Sequence, residues 1–200
     1  MKKSFELLIP TEWSEISIKQ YTDYIKSVTE NDSDEDYMSN ILLNFCGVKS
    51  NMIKYFKVTD LQKIKESLDK LISSPINTHI IHKIKIDGVK YGFHPNLDEM
   101  TMGEFIDLDT HAKNNDMSKM MNVLYRPITK EEGNRYDIES YSFKKHGDNY
   151  LKFQNLSINI ANAVAVFFWT LGSKLLTSFQ TSSNQMDKKA KTMDSAGLRY

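Results

Sequence analysis

The sequence predicts an α+β fold, predominantly helical, with two capped helix pairs flanking a central β-hairpin, a long apolar helix toward the C-terminus and a polar tail. Three observations predict it. Hydroxyl caps followed three residues later by Gln or Glu stand ahead of amphipathic runs, the signature of a helix start. One central stretch alternates apolar and polar residues across an Asp-Gly pair, the strongest short hairpin signal. Pro and Gly are scarce, four and eight in 200 residues, so long helices run uninterrupted. One mainly helical domain is expected over 1–180, and the polar stretch 181–200 is expected to order only on binding.

Phe5, Leu7 and Ile9 alternate before Pro10, giving a short strand or an extended arm. Ser17 opens a helix as its N-cap, boxed by Gln20, with Ile16 and Tyr21 at the staple positions and Ile18, Tyr21, Ile25 and Val28 on its apolar face. Met38, Ile41, Leu42 and Phe45 follow i, i+3, i+4, i+7 and predict a second helix that Gly47 ends. Ser50 to Phe56 reads as a short helix. Thr59, boxed by Gln62, starts another, with Leu61, Ile64, Leu68, Leu71 and Ile72 inward and Pro75 beyond its end.

The hairpin is expected near 79–93. Ile80, His82, Ile84 and Ile86 share one strand face, Asp87-Gly88 turns the chain, and Val89, Tyr91 and Phe93 return. Two strands alone are marginal, so the hairpin must pack on helices or pair with the N-terminal strand. Helices resume at Thr101, boxed by Glu104, with Met102, Phe105 and Ile106 apolar. Asp116 caps the next, where Met117, Met120, Met121 and Leu124 share a face and Arg126-Pro127 stops the helix. Thr129 to Asn149 reads as a long polar loop, with room for a short strand at Tyr136 to Tyr141. The final helix is predicted from about Ser157 to Phe179.

Charge is balanced, 26 basic against 26 acidic residues, so no global field draws the chain to nucleic acid or to an anionic membrane. Cys46 is the only cysteine, which excludes an intrachain disulfide and fits synthesis in a reducing compartment. Met1-Lys2-Lys3-Ser4 leads into a run too short and too Glu-interrupted for a signal peptide, and reads as a mature N-terminus. Phe153 to Ser173 carries no charge and is about as long as a bilayer crossing. Asn159, Asn162, Thr170, Ser173 and Thr177 nevertheless form a polar stripe along it, which a buried helix with one wet edge can use and a lipid-facing span cannot.

Glu15-Ile16-Ser17-Ile18-Lys19-Gln20-Tyr21-Thr22-Asp23 echoes Glu99-Met100-Thr101-Met102-Gly103-Glu104-Phe105-Ile106-Asp107. General capping physics explains such an echo, and so does duplication of a helix pair. Either predicts two similar helical hairpins.

Candidate chemistry fails position by position. Asp32, Asp34 and Asp36 have calcium-loop spacing, but Tyr37 and Leu43 stand where that loop needs Gly and Glu. His79 and His82 fall on opposite strand faces, and no Cys or carboxylate cluster completes a metal site with either, so His82 reads as a hydrogen-bonded core histidine. His94, His111 and His146 belong to no motif. Cys46 lies at a helix C-terminus, where the dipole raises a thiol pKa. No phosphate loop, nucleophile elbow, kinase or zincin signature is present. The reading is therefore of a protein that is not an enzyme and takes no cofactor or metal.

Met100, Met102, Met117, Met120 and Met121 suit either core filling or an adaptable surface. The stronger partner-binding candidates are Phe167, Phe168, Trp169, Leu175 and Phe179 of the final helix, whose apolar residues cover more than one face. Lys188, Lys189, Lys191 and Arg199 give the tail a net +2 against Asp187 and Asp194, which suits a solvated tail by default and a contact with an acidic partner or nucleic acid as the sharper reading.

The Pro10-x-x-Trp13-x-x-Ile16-Ser17-Ile18-x-Gln20-Tyr21 opening, Ile86-Asp87-Gly88-x-x-Tyr91, Met100-Thr101-Met102-Gly103-Glu104-Phe105-Ile106-Asp107-Leu108 and Leu124-Tyr125-Arg126-Pro127-Ile128 together resemble a group of small proteins of tailed phages of Bacteroidetes hosts, crAss-like phages included. That group has the look of tail-assembly chaperones or virion-associated structural proteins. The resemblance spans about Pro10 to Leu176 and implies no catalytic residues. It implies a protein that docks onto capsid, portal or tail proteins, made in the host cytoplasm and carried in the virion, with self-association also open to it and no membrane or nucleic-acid partner. A chaperone absent from the finished particle is the first alternative, and a small phage enzyme or regulator acting on the host is the second.

Overall fold

The computed structural model describes residues 6–142, 144 and 147–169. Within them the chain is α+β and mostly helical, with one four-stranded antiparallel sheet in the order β1-β2-β3-β4. The helices are α1 (Ile18–Ser27), α2 (Asp34–Cys46), the single turn α3 (Ser50–Ile53), α4 (Val58–Ile72), α5 (Met102–Lys113), α6 (Met117–Leu124), the single turn α7 (Tyr150–Phe153) and α8, described over 158–169, with the rest of its predicted length to Phe179 and the polar tail outside the described residues. The strands are β1 (Lys83–Ile86), β2 (Val89–Phe93), β3 (Tyr125–Glu132) and β4 (Arg135–Ile138).

Local chemistry explains most helix starts. At α1 the Ser17 hydroxyl accepts from the Gln20 N–H, and Gln20 Oε1 accepts from the Ser17 N–H at 2.9 Å. Thr101 and Glu104 repeat this box at α5, and Ser33 with Asp36 closes a third at α2. Gly47 ends α2 at φ +68, a conformation open to glycine at no Cβ cost. The start of α4 departs from expectation. The cap falls on Lys57, which makes no side-chain hydrogen bond, and Thr59 lies inside the first turn. Packing of Ile64, Leu68 and Leu71 sets that helix rather than a cap.

Residues 6–11 form no strand, and Phe5 lies outside the described residues. Residues 6–11 are an extended arm that leads into Trp13, whose indole N–H donates to Ser74 O at 3.0 Å beyond α4. Trp13, Tyr21, Tyr24 and Phe45 stack edge-on or tilted where α1 meets α2. Ile25 and Val28 were expected inward, yet both face solvent while Tyr24 is buried in their place.

The hairpin forms at the expected turn, with Asp87 at φ +48 and Gly88 at φ +83, but it is half of the sheet. Residues 79–82 lie outside β1. Helix α6 passes into β3 with no loop, and β3 pairs with β2 through Phe93 and Tyr125. Gly133, at φ +60, turns β3 into β4. The first half of the predicted long polar loop is thus a second hairpin, and the short strand for which it had room at Tyr136 to Tyr141 is met in part by β4. That hairpin escapes the apolar-alternation test because the outer half of β3 is solvent-exposed.

Ile16-Ser17-Ile18 also pairs with Leu156-Ser157-Ile158. Ile18 N donates to Leu156 O at 2.8 Å and Ile158 N to Ile16 O at 2.9 Å. The bridge sets the starts of α1 and α8 side by side and satisfies N–H groups that a helix N-terminus leaves open. Of the predicted polar stripe, Asn159 and Asn162 are used internally, and Thr170, Ser173 and Thr177 lie outside the described residues. Asn159 accepts from Asn77 N, and the Asn162 amide donates to Asn77 O at 3.1 Å. No helix among the described residues is long and apolar enough to cross a membrane.

Candidate docking surface

The expected partner-binding residues part company in three dimensions. Phe168 is a core residue, 6% exposed. Phe167 is half-buried, its ring edge-on to Phe93 at 5.6 Å between centroids. Trp169 is 60% exposed, and Val166 faces solvent on the same helix. Leu175, Phe179, Lys188, Lys189, Lys191 and Arg199 lie outside the described residues.

Phe93 is the last residue of β2 and meets Phe167, and the adjoining His94 reaches α5, so the last described turn of α8 and the start of α5 both meet that end of the strand. α5 is oriented against its sequence pattern. Met102 is 72% exposed and Ile106 also faces water, whereas Glu104, Leu108 and Ala112 are buried. Of the clustered methionines, Met120 and Met121 fill the core, Met100 and Met117 are half-buried, and Met102 is the exposed one.

The burial of Glu104 explains the inversion. Its Oε2 accepts from the Thr101 N–H and hydroxyl, each at 2.7 Å, and so caps α5. Its Oε1 takes Arg126 Nη1 at 2.6 Å, with His94 Nε2 at 3.7 Å. All three ionisable side chains are buried. The Arg126 guanidinium also lies over the Tyr141 ring, and the Tyr141 hydroxyl donates to Asp107 of α5 at 2.6 Å. One carboxylate thereby caps a helix and ties it to the sheet. A buried carboxylate is tolerable only with such partners. The equivalent Gln20 does the same for the first helix pair, where its amide donates to Phe45 O at the end of α2, 3.3 Å away. The two helical hairpins predicted from the sequence echo thus share a device, in which the third helical residue anchors the chain at the end of the second helix or just beyond it.

Burial would raise the Glu104 carboxyl, but the Thr101 hydrogen bonds and the charges of Arg126 and His94 outweigh it and hold it below its ordinary value. Burial, and then the charge of Arg126, push His94 below its ordinary value despite Glu104 and Glu99 nearby. A histidine depressed in the fold contributes stability above its unfolded pKa of about 6.5 and loses that contribution as pH falls below it. Chemical-denaturation midpoints are expected to drop as pH is lowered from 7 through 6, and His94→Gln is expected to flatten that part of the profile. Identical profiles for the two proteins would remove His94 as the cause.

The remaining candidates stand as follows. His82 is exposed, not a core residue; among the described histidines the buried one is His94. Cys46 is half-buried, and burial pushes its thiol up to about 11. Asp32 accepts from Thr29 and from Asn40, while Asp36 belongs to the Ser33 box, which makes the acidic run a helix-start device. Among the described residues no three His, Cys, Asp or Glu side chains are placed to share a metal ion. Sequence reasoning missed Glu104 and Arg126 as a pair, since a box glutamate and an Arg-Pro stop each had a complete local explanation. Compared with protein-family models, curated proteins and solved structures, the chain matches none.

Proposed function

We propose that this protein is a non-enzymatic docking protein of a tailed phage, a virion-associated structural or assembly component that seats on capsid, portal or tail proteins. It is made in the host cytoplasm and stays with the particle. The observation that carries the reading is the large apolar side chains turned to solvent on two helices that each touch the end of β2, Met102 and Ile106 on α5 and Val166 and Trp169 on α8. Exposed apolar groups grouped on a rigid frame are the usual material of a binding surface, and the buried Glu104–Arg126 pair makes α5 such a frame. The phage setting rests on the sequence resemblance alone.

The test separates docking from folding. Trp169→Ser removes an exposed ring and is expected to leave stability within about 0.5 kcal/mol while weakening capture of virion proteins from infected cells. Phe168→Ser empties a core site and is expected to destabilise the fold by about 3–5 kcal/mol. A Trp169→Ser protein that keeps every partner would sink the docking role of this edge. Mass spectrometry of purified particles then places the protein. Stoichiometric presence fits a structural component, and absence with retained binding to tail proteins makes it an assembly chaperone.

A further inference from the structure

We infer that the protein associates with itself head to tail, the acidic corner at the start of α2 of one copy seating in a lysine-rimmed groove at the other end of α2 in the next. The groove encloses about 1040 Å³ between the N-terminal arm, the end of α2, α3 and the start of α4. Leu7, Ile9, Met52 and Phe56 give it an apolar lining, each half-buried against the core. Lys49, Lys57 and Lys63 stand on its rim with Glu6 and Asp60, and none of the three lysines forms an ion pair among the described residues. The rim also carries the start of α4, whose cap residue Lys57 offers no side-chain acceptor. The positive end of that helix dipole therefore adds to the lysine charge. Such a groove suits an occupant that is apolar and acidic together.

The chain itself carries one. Ile25 and Val28, the inward-predicted residues that face solvent, lead into Glu30, Asp34 and Glu35, all exposed and without ion pairs among the described residues. This corner sits at the start of α2 and the groove at its end, thirteen helical residues apart, or about 20 Å at 1.5 Å per residue. A copy cannot fold its own corner around that rigid helix into its own groove, but it can offer it to a neighbour. Contact between two different patches is heterologous, and it builds a ring if the rotation closes and a filament if it does not.

Sedimentation velocity of the full chain tests this. At low salt the average mass is expected to rise with protein concentration above that of one chain. At about 1 M salt, where screening acts within about 3 Å, it is expected to return to the monomer. Reversing the rim (Lys49→Glu, Lys57→Glu, Lys63→Glu) or the corner (Glu30→Lys, Asp34→Lys, Glu35→Lys) should each give a monomer that still unfolds cooperatively by circular dichroism, the corner variant at some cost in stability because it loses acidic charge from the first turn of α2. Mixing the two reversed proteins should restore association, because each then offers the charge that the other needs. A monomer under every condition overturns the inference, as does association that survives reversal or reversed proteins that stay apart when mixed. Trp169→Ser should leave self-association untouched, which keeps this result separate from the docking surface on α8.

Discussion

Arg126→Met is expected to be among the most damaging single substitutions in the described fold, costing about 3–5 kcal/mol, because it strands the Glu104 carboxylate in the interior. For a chain of this length that corresponds to a fall in melting temperature on the order of 10 °C. Met fills much of the arginine's volume, so the loss reports charge rather than a cavity. The carboxyl, freed of the guanidinium that helps hold it down, should then take a proton more readily. A buried acid whose pKa is raised above its unfolded value is least costly when protonated, so the deficit should narrow as pH falls toward 4.5, its unperturbed value. Adding Glu104→Gln tests the origin of the effect. Glutamine keeps the oxygen that caps Thr101 while removing the stranded charge, so the double variant should recover much of the loss. Calorimetry of both singles and the double closes the cycle. Simple additivity would mean that the pair is not the coupled unit its 2.6 Å contact describes.

Gly92→Ala is expected to cost about 1–3 kcal/mol for the opposite reason, overpacking. Gly92 sits mid-strand in β2, opposite Lys83 and Arg126, and the ring of Tyr136 from β4 lies directly over it. A Cβ there would meet Tyr136 Cδ2 at 2.7 Å and Ile138 Cγ2 at 3.0 Å, with Tyr136 Cε2 nearer still. The ring has little freedom to yield, since its hydroxyl donates to Phe93 O at 2.7 Å with His82 O at 3.2 Å. Moving it would loosen β4 and the β1–β2 pair together. In a Tyr136→Ala background the alanine has room, and the same substitution should become nearly neutral by urea denaturation. Equal cost in both backgrounds would mean that the ring is not what excludes a side chain.

Both sites mark where reading the sequence ran short. A capping glutamate three residues after Thr101 has a complete local explanation, so nothing in the spacing announces a second partner 22 positions later. Nothing in the spacing around Gly92 announces a covering ring, and the aromatic that covers it, Tyr136, comes from the polar loop in which only a short strand was expected. A signal for that segment existed. Gly133-Asn134 is a two-residue hairpin turn, although the polar character of its flanking strands hid it. The helix pairs were legible because a cap, its box and the apolar stripe behind them all act within a few residues. The docking residues were half legible. Aromatic bulk marked Phe168 and Trp169 alike, and only burial separates the core ring from the exposed one.

By itself the sequence determined the starts of α1, α5 and α6, the glycine end of α2 and the Asp87-Gly88 turn, because each is settled by a backbone dihedral or a hydrogen bond between near neighbours. The tertiary structure alone decided that the hairpin grows into four strands, that His94 is buried and His82 is not, and that α5 turns Glu104 inward and Met102 out. Those outcomes share one physical cause. The cost of burying a charge, or of leaving an apolar face in water, depends on what the rest of the chain brings beside it. Arg126 and Tyr136 reach their places only when β3 pairs with β2 and β4 with β3.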